Sequence, residues 1–348
     1  MNLQNSQEYY GQVLKRTDDL RTDACTMADI PPPHVVEALA NVHPEVKARY
    51  YGCGLVAPTG IEGARILDLG SGSGQDAYVL AQLVGPTGEV VGVDVTPEQL
   101  EVAREHLEWH RERFGYDSSN VSFIEGNIEE LEDLGFEPGS FDIIISNCVI
   151  NLASDKARIF HAAHKLLKLG GEMFFSDVYG DRRIPEALQQ DPVLHGECLS
   201  GALYWGDFMM FAKEAGFTDP RTVIHRALSI NDSAIAAKLD GFRFLSATCR
   251  LFKLKGLEPE CEDYGQAVIY RGGVQGEERV FNLDNKHQIE RGRVFPVCGN
   301  TWKMLADTRF AQHFDFVGNF DHHYGIFEGC GGSLPFDSHE ESEAVSCC

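Results

Sequence analysis

The chain has 348 residues, of which 43% are hydrophobic, and a formal net charge of −23 at pH 7. This length predicts two or three domains, and the hydrophobic content is typical of a globular protein. The negative charge repels phosphate backbones, so we do not expect nucleic acid as a partner. No hydrophobic run approaches the length of a transmembrane helix, and the N-terminus lacks a signal peptide's apolar stretch. We therefore expect a cytoplasmic protein without membrane contact.

The chain contains ten cysteines. In a cytoplasmic protein these are expected to be mostly reduced thiols and not a disulfide framework. Each thiol is therefore a candidate soft ligand or nucleophile, and its position in the chain decides whether it has a chemical role.

Residues 1–60 precede the first predicted strand and form a predicted helical segment. Helices are indicated over residues 5–14 and 33–49, and a run of three prolines between them suits the start of the second helix. Cys25 lies between the two helices. Cys53 follows them with glycine on both sides, which predicts an exposed turn.

A short apolar run followed by three alternating glycines begins the next part of the chain. Residues 66–69 predict a buried strand. Gly70, Gly72 and Gly74 predict a tight turn that a ligand can approach closely, because glycine has no Cβ atom. A helix follows, as in a nucleotide-binding βαβ unit. Gln75 replaces the third glycine of the dinucleotide fingerprint, which favours a nucleoside-type cofactor without a pyrophosphate.

The second strand is predicted over residues 90–95. Asp94 near its end is placed to accept hydrogen bonds from ribose hydroxyls. Thr96 and Gln99 are expected to form a capping box at the start of a helix that ends at Gly115.

Strands and helices alternate through residues 61–185, with further strands predicted over residues 121–125, 141–146 and 172–178. Helices of this length between strands predict an α/β fold with a doubly wound, mostly parallel, Rossmann-like sheet.

Residues 186–285 have a different pattern and predict a second, smaller α+β domain. Strands over residues 223–230, 242–254 and 267–270 are expected to form a small sheet packed beside the first domain. Residues 286–348 form a C-terminal extension whose last part, rich in Gly, Ser and Glu, is expected to be partly disordered.

Cys148 and Cys198 occupy two informative positions. Cys148 follows the strand over residues 141–146, and ligands of parallel sheets bind at the shared carboxyl edge of the strands. A cysteine here can also be a small buried hydrophobic residue. Cys198 stands between the two predicted domains with His195 and Glu197 just before it, and it can equally be an incidental linker residue.

The stretches ILDLGSGSG and VVGVDVT resemble the first two motifs of class I S-adenosylmethionine (SAM) methyltransferases. The resemblance implies that Gly70, Ser71 and Gly72 lie along the methionine part of SAM. It also implies that Asp94 holds the ribose. The segment before the methyltransferase core commonly covers the SAM site in this fold class.

A SAM cofactor together with several reduced thiols suggests a soft, thiophilic substrate, and trivalent arsenic or antimony fits this description. Three sulfur ligands leave trivalent arsenic with one free lone pair, which can attack the methyl group on the positive sulfur of SAM. Holding both partners in a near-attack geometry contributes about 7–11 kcal/mol. No general base is needed, because the attacking atom carries no proton.

The chain resembles the arsenite SAM methyltransferase family over its whole length, most specifically in RYYGCGL, SNCVINL and GECLSGALYW, and most weakly after about residue 285. By that resemblance, Cys148 and Cys198 hold As(III), and Cys53 completes the ligands. Cys25 joins Cys53 in a disulfide that forms and is re-reduced during turnover. Five further residues are implied to contact SAM: Tyr51, Val95, Ile128, Asn147 and Val149.

The resemblance implies As(III) as substrate, free or as a glutathione conjugate, and thioredoxin or glutathione as reductant for a monomeric enzyme. The arsenic-binding thiols are expected to be reachable from solvent. Cys347 and Cys348 either capture arsenic or are incidental tail residues, and no role is assigned to Cys330. Cys249 is interpreted as a packing residue of a strand.

Two other functions fit the same residues. One is a small-molecule C- or O-methyltransferase whose cysteines only pack in the core. The other is a thiolate protein that binds a metalloid without turnover. Such a protein needs no cofactor pocket, so the glycine turn and Asp94 disfavour it.

Overall fold

The computed structural model of the protein describes residues 31–50, 54–191, 194, 199–230, 232–239 and 241–329. The helix predicted over residues 5–14 and the tail after residue 329 lie outside this part of the chain. Within it, no helix combines the length and the hydrophobicity that crossing a membrane requires.

Parallel strands form one half of the central sheet. These strands are β1 (Arg65–Leu69), β2 (Glu89–Asp94), β3 (Val121–Glu125), β4 (Phe141–Asn147) and β5 (Leu167–Gly180). Their order is β3-β2-β1-β4-β5, so β1 lies in the middle. Leu67 of β1 pairs with Val91 on one side and with Ile144 on the other. The carboxyl ends of β1, β2 and β4 therefore meet at one edge.

Helices cover both faces of these strands. They are α1 (Pro33–Ala40), α2 (Pro44–Ala48), α3 (Gln75–Val84), α4 (Pro97–Glu105), α5 (Leu107–Phe114) and α6 (Lys156–Leu166). Ile143 and Ile145 of β4 belong to the core cluster that contains Leu80 of α3, whereas Ile144 belongs to the cluster that contains Phe160 of α6. Alternate residues of a strand point to opposite faces. The predicted doubly wound, mostly parallel sheet is confirmed.

The helix after β2 differs from the prediction at its start and in its middle. The side chain of Thr96 makes no capping bond, so the predicted capping box with Gln99 is wrong. Instead the Asp94 carboxyl accepts a hydrogen bond from Thr96 N at 2.8 Å. It also bonds to the side chain of Thr96, so the Thr96 hydroxyl does not cap the helix. The helix is interrupted at His106, whose ring reaches Glu45 at 3.1 Å. Gly115 ends the second part, as predicted.

The chain beyond β5 returns to the central sheet. Its elements are α7 (Glu186–Gln189), β6 (Leu203–Tyr204), α8 (Trp205–Glu214), β7 (Arg221–Ala227), α9 (Ser233–Lys238) and β8 (Phe244–Phe252). β8 runs antiparallel to β5 along residues 172–180, and β7 runs antiparallel to β8. The expectation that these strands build a separate small sheet is therefore wrong. A long buried strand such as β5 needs a partner on its second side, because its backbone groups otherwise lose their hydrogen bonds.

The C-terminal region contains small sheets of its own. Its elements are β9 (Glu262–Asp263), β10 (Gln266–Tyr270), β11 (Val280–Asn282), β12 (Gln288–Glu290), β13 (Val294–Val297), α10 (Gly299–Ala306), β14 (Phe314–Val317) and β15 (Gly325–Ile326). The order β13-β10-β14 makes a three-stranded antiparallel sheet, so β10 is the one strand of the three predicted that lies outside the central sheet.

A buried ion cluster joins this region to the central sheet. Glu172 of β5 is fully buried and contacts Arg250 Nε of β8 at 3.0 Å. Arg309, which follows α10, also bonds to Glu172 and donates to Thr59 O at 3.0 Å. Burial raises the pKa of Glu172, but the two guanidinium groups outweigh burial and hold it below its ordinary value.

Candidate active site

The glycine turn after β1 has the backbone that its sequence predicts. Gly70, Gly72 and Gly74 have φ values of +74°, +51° and +90°, which side chains rarely adopt. A Cβ atom on Gly70 would lie 2.6 Å from Val149 Cγ2. A Cβ atom on Gly72 would meet nothing within 4 Å, so this residue borders open space. The turn therefore has one face packed on the residue after Cys148 and one face open.

A cleft of about 990 Å³, counting its open mouth, lies over this turn at the carboxyl edge of β1, β2 and β4. This size suits a nucleoside-type ligand. Every predicted SAM-contact residue that the structure describes lines the cleft: Gly70, Ser71, Gly72, Asp94, Val95, Ile128, Asn147 and Val149. Tyr51 lies outside the described residues.

Asp94 connects the turn to the end of β2. One oxygen accepts a hydrogen bond from Gly72 N at 2.9 Å, and the other accepts from Thr96 N at 2.8 Å. The residue is 9% exposed, and burial raises the pKa of its carboxyl above the ordinary value. Asp94 lines the cleft at the end of β2, the position from which an acidic side chain accepts hydrogen bonds from ribose hydroxyls in nucleotide-binding sheets.

A polar network at the other end of the cleft contains residues to which the sequence analysis gave no role. Asn147 Nδ2 lies 2.7 Å from Asp76 Oδ2, 2.6 Å from Tyr50 Oη and 2.5 Å from Gly54 O. Burial raises the pKa of Asp76 to about 7. Asp76 directly follows Gln75 in the first turn of α3. An acidic residue at this position, just after the glycine turn, could have identified Asp76 as a residue of the cleft.

Asp68 is the second residue that the sequence analysis did not assign. It is 2% exposed and lines the cleft from within β1, and its Oδ2 has no hydrogen-bond partner among the described residues. Burial, together with the charges of Asp76 and Asp94, raises the pKa of Asp68 well above its ordinary value. A carboxyl group inside an otherwise apolar strand was the signal in the sequence. Three carboxyl groups in one cleft favour a ligand with positive charge.

Cys148 also lines the cleft, next to Asn147 and Val149. It is the one residue other than glycine with a positive φ, +57°, in the part of the chain that the structure describes. Its backbone N–H donates to Ser176 O of β5 at 2.9 Å. Strained backbone of this kind persists when the surrounding structure holds it, and it concentrates at functional sites.

Cys148 is only 3% exposed, and the expectation that solvent reaches the arsenic-binding thiols stays a prediction. It belongs to a hydrophobic cluster with Val178, Leu194 and Leu199, which covers it from outside. The sulfur of Cys148 is part of a disulfide in this structure, so the residue must be reduced before it can bind arsenic. The other predicted arsenic and redox cysteines, Cys25, Cys53 and Cys198, lie outside the described residues.

The interpretation of Cys249 as a packing residue agrees with its position in β8. Cys249 is 1% exposed, and burial raises the pKa of its thiol to about 12. A thiol with so high a pKa is a poor ligand and nucleophile at neutral pH.

Two family models match the chain. The one described as a methyltransferase domain matches residues 61–216, and the one described as an arsenite methyltransferase C-terminal domain matches residues 264–339. The second match shows that the similarity continues well beyond residue 285, where the motifs alone indicated that it weakens. Most of the region that forms the small sheets after β8 therefore matches a domain of known arsenite methyltransferases.

Individual relatives match over nearly the whole chain. An arsenite methyltransferase from Aquipseudomonas alcaligenes is 60% identical, with 98% of this chain and 99% of the relative covered. The Homo sapiens arsenite methyltransferase is 47% identical, with coverages of 88% and 82%. The crystal structure of an arsenic (III) S-adenosylmethionine methyltransferase from Chlamydomonas reinhardtii is 49% identical and has a TM-score of 0.83, with 86% of this chain and 100% of that chain covered. The chain therefore belongs to the family of SAM-dependent arsenite methyltransferases.

Proposed function

We propose that this protein methylates As(III), as arsenite and methylarsenite, while the arsenic is bound to the thiolates of Cys148, Cys198 and Cys53. The observation that carries the proposal is the position of Cys148. Cys148 borders the same cleft as the glycine turn and Asp94, at the edge where a parallel sheet binds its ligands, and reduction would release its thiolate there.

The charge of the cleft supports SAM as the methyl donor. Asp68, Asp76 and Asp94 line it and are each at most 9% exposed. SAM carries a sulfonium and an ammonium group, and carboxylates stabilise such cations most where water is excluded. After methyl transfer the sulfur is neutral, so this stabilisation weakens and favours release of the product.

Packing around Cys148 supports Cys198 as the second arsenic ligand. Leu199 directly follows Cys198, and Leu194 stands four residues before it. Both leucines pack in the hydrophobic cluster that contains Cys148. The two described residues that flank Cys198 in the sequence therefore both pack with Cys148.

The proposed reaction needs no proton transfer to the nucleophile. The arsenic lone pair forms the As–C bond while the S–CH₃ bond of SAM breaks, and the departing sulfur keeps the bonding electrons. Arsenic is thereby oxidised from the trivalent to the pentavalent state. We propose that Cys25 and Cys53 return two electrons to arsenic by forming a disulfide, which thioredoxin or glutathione then reduces in the cytoplasm. The physiological role is arsenic detoxification.

The proposal is tested by incubating the protein with arsenite, SAM and a thiol and separating methylated arsenicals by chromatography with mass detection. We expect methylated product from the natural protein and none from Cys148→Ser or Cys198→Ser. Cys249→Ser is the matched control, because this buried thiol lies outside the cleft, and it should keep full activity. Normal SAM binding without methylated arsenic, or full activity in both cleft variants, would contradict the thiolate mechanism.

A further inference from the structure

Asn151 lies three residues after Cys148 and is 1% exposed. Its Nδ2 donates to Asp177 Oδ1 and to Val178 O, both at 2.6 Å. Its backbone N–H donates to Asp177 Oδ2 at 3.2 Å. Both donors of the amide are thus used on β5, and they fix the turn that carries Cys148 to this strand.

The carbonyl side of Asn151 faces the segment that follows Cys198. Leu203 N donates to Asn151 Oδ1 at 3.2 Å, and β6, which contains Leu203, pairs with the end of β5. A Cβ atom on Gly201 would lie 2.0 Å from Asn151 O, so the two backbones touch at this point. One buried side chain therefore connects the Cys148 turn, β5 and the segment after Cys198.

This contact lies close to both cysteines along the chain. Asn151 is three residues after Cys148, and Gly201 is three residues after Cys198. Three residues span at most about 10 Å, so the contact lies within about this distance of the Cys148 backbone. The positive φ of Cys148 has to be maintained by such surrounding bonds.

We propose that Asn151 is a positioning residue that holds the Cys148 turn against β5 and the segment beginning at Leu199, and so orients Cys148 for binding arsenic. The inference rests on the proposed function. Asn151 makes no bond to arsenic and acts through the two backbone segments that it joins. Outer-shell hydrogen bonds orient ligands in the same way in metal sites.

The test replaces Asn151 with alanine and measures arsenite binding by calorimetry together with KM and kcat. We expect Asn151→Ala to weaken binding of inorganic arsenite about tenfold or more and to raise the KM for arsenite, as loss of outer-shell partners does. The affinity for SAM should stay unchanged. The single variant Asn151→Asp should also lose arsenite affinity, because it places two carboxyl groups against each other. The double variant Asn151→Asp/Asp177→Asn restores a hydrogen bond between these two positions and should recover part of that affinity.

Asn300→Ala is the matched control for the loss of a buried amide. Asn300 is also 1% exposed, and its side chain bonds to Asp219 at 3.0 Å and to Glu258 O and Glu258 N at 2.8 Å each, outside the cleft. The Asn300→Ala variant should lower thermal stability as much as Asn151→Ala does and leave the affinity for arsenite unchanged. Equal arsenite affinity in Asn151→Ala and the natural protein, or a parallel loss of SAM and arsenite binding, would overturn the inference. If the natural protein itself fails to bind arsenite through Cys148, the proposed function fails instead.

Discussion

Gly70 shows how one missing Cβ atom gives the cleft its shape. Gly70→Ala should abolish measurable SAM binding in calorimetry, because the new methyl group would lie 2.6 Å from Val149 and push the residue after Cys148 out of place. Gly115→Ala is the matched control. Its φ of +73° is nearly that of Gly70, but no atom lies within 4 Å of the added Cβ. Backbone strain alone costs about 1–2 kcal/mol. Normal SAM binding by Gly70→Ala would contradict the described packing.

Asp76 makes SAM binding depend on pH. Burial raises the pKa of Asp76 to about 7, so at lower pH the carboxyl is neutral in the free protein. A cationic ligand binds the ionised form better. SAM affinity should therefore rise about tenfold per pH unit from about pH 5.5 and level off near pH 7, since one proton is released. The groups that share the cleft with Asp76 include Asp68, Asp94 and Arg49.

Asp76→Asn is the variant that isolates this carboxyl, because its amide oxygen can still accept the bond from Asn147. It should bind SAM with a flatter pH profile. S-adenosylhomocysteine lacks the sulfonium charge and should show a weaker pH dependence in the natural protein. A pH dependence that is the same in both proteins would assign it to another group.

Individual residues of the cleft were predictable where a backbone rule or a strand end identified them. The roles of Gly70 and Gly72 were predictable because a tight turn needs residues that adopt a positive φ. The role of Asp94 was predictable because this residue ends β2. Asp68 and Asp76 were not assigned, because the sequence alone does not reveal which acidic residues the fold buries together. The predicted capping box was wrong because the sequence did not reveal that the fold places the Asp94 carboxyl beside Thr96, which bonds to it.

At the scale of elements, the parallel half of the sheet was predictable and its antiparallel half was not. The alternation of short apolar runs with helices fixes β1 to β5 as parallel neighbours. The strand patterns of β7 and β8 are equally clear, but a pattern does not tell which edge a strand joins. β8 joins the sheet on the side of β5 that faces away from β4. The fourteen-residue length of β5, which offers β8 a long partner, became evident only in the structure.

The ion cluster around Glu172 fastens the C-terminal region to β5 and β8. Glu172→Gln should lower the free energy of unfolding by about 3–5 kcal/mol, because it leaves the buried Arg250 and the partly buried Arg309 without their counter-charge. Urea unfolding measures this change. The control is Glu132→Gln, which removes an exposed ion pair to Lys165 at 2.7 Å and should cost at most about 1 kcal/mol. Equal effects of the two substitutions would contradict the structural role of the cluster.

At the scale of the whole molecule, the cofactor and the substrate are expected to meet at one edge of one sheet. The negative net charge of the chain and the carboxyl groups of the cleft both favour a cationic methyl donor. The Cys148 turn and the strand β6 come from distant parts of the sequence, and Asn151 joins them at the carboxyl end of β5. On the proposed function, this edge is where the arsenic-binding thiols would face the methyl group of SAM.

The central claim is that converging thiolates bind the arsenic that SAM methylates. X-ray absorption at the arsenic K-edge, recorded on the full chain loaded with arsenite, tests it most directly. We expect a first shell of three sulfur atoms in the natural protein and the loss of one sulfur in Cys148→Ser, while Cys249→Ser keeps all three. A shell of oxygen atoms in the natural protein, or an unchanged sulfur shell in Cys148→Ser, would contradict this account.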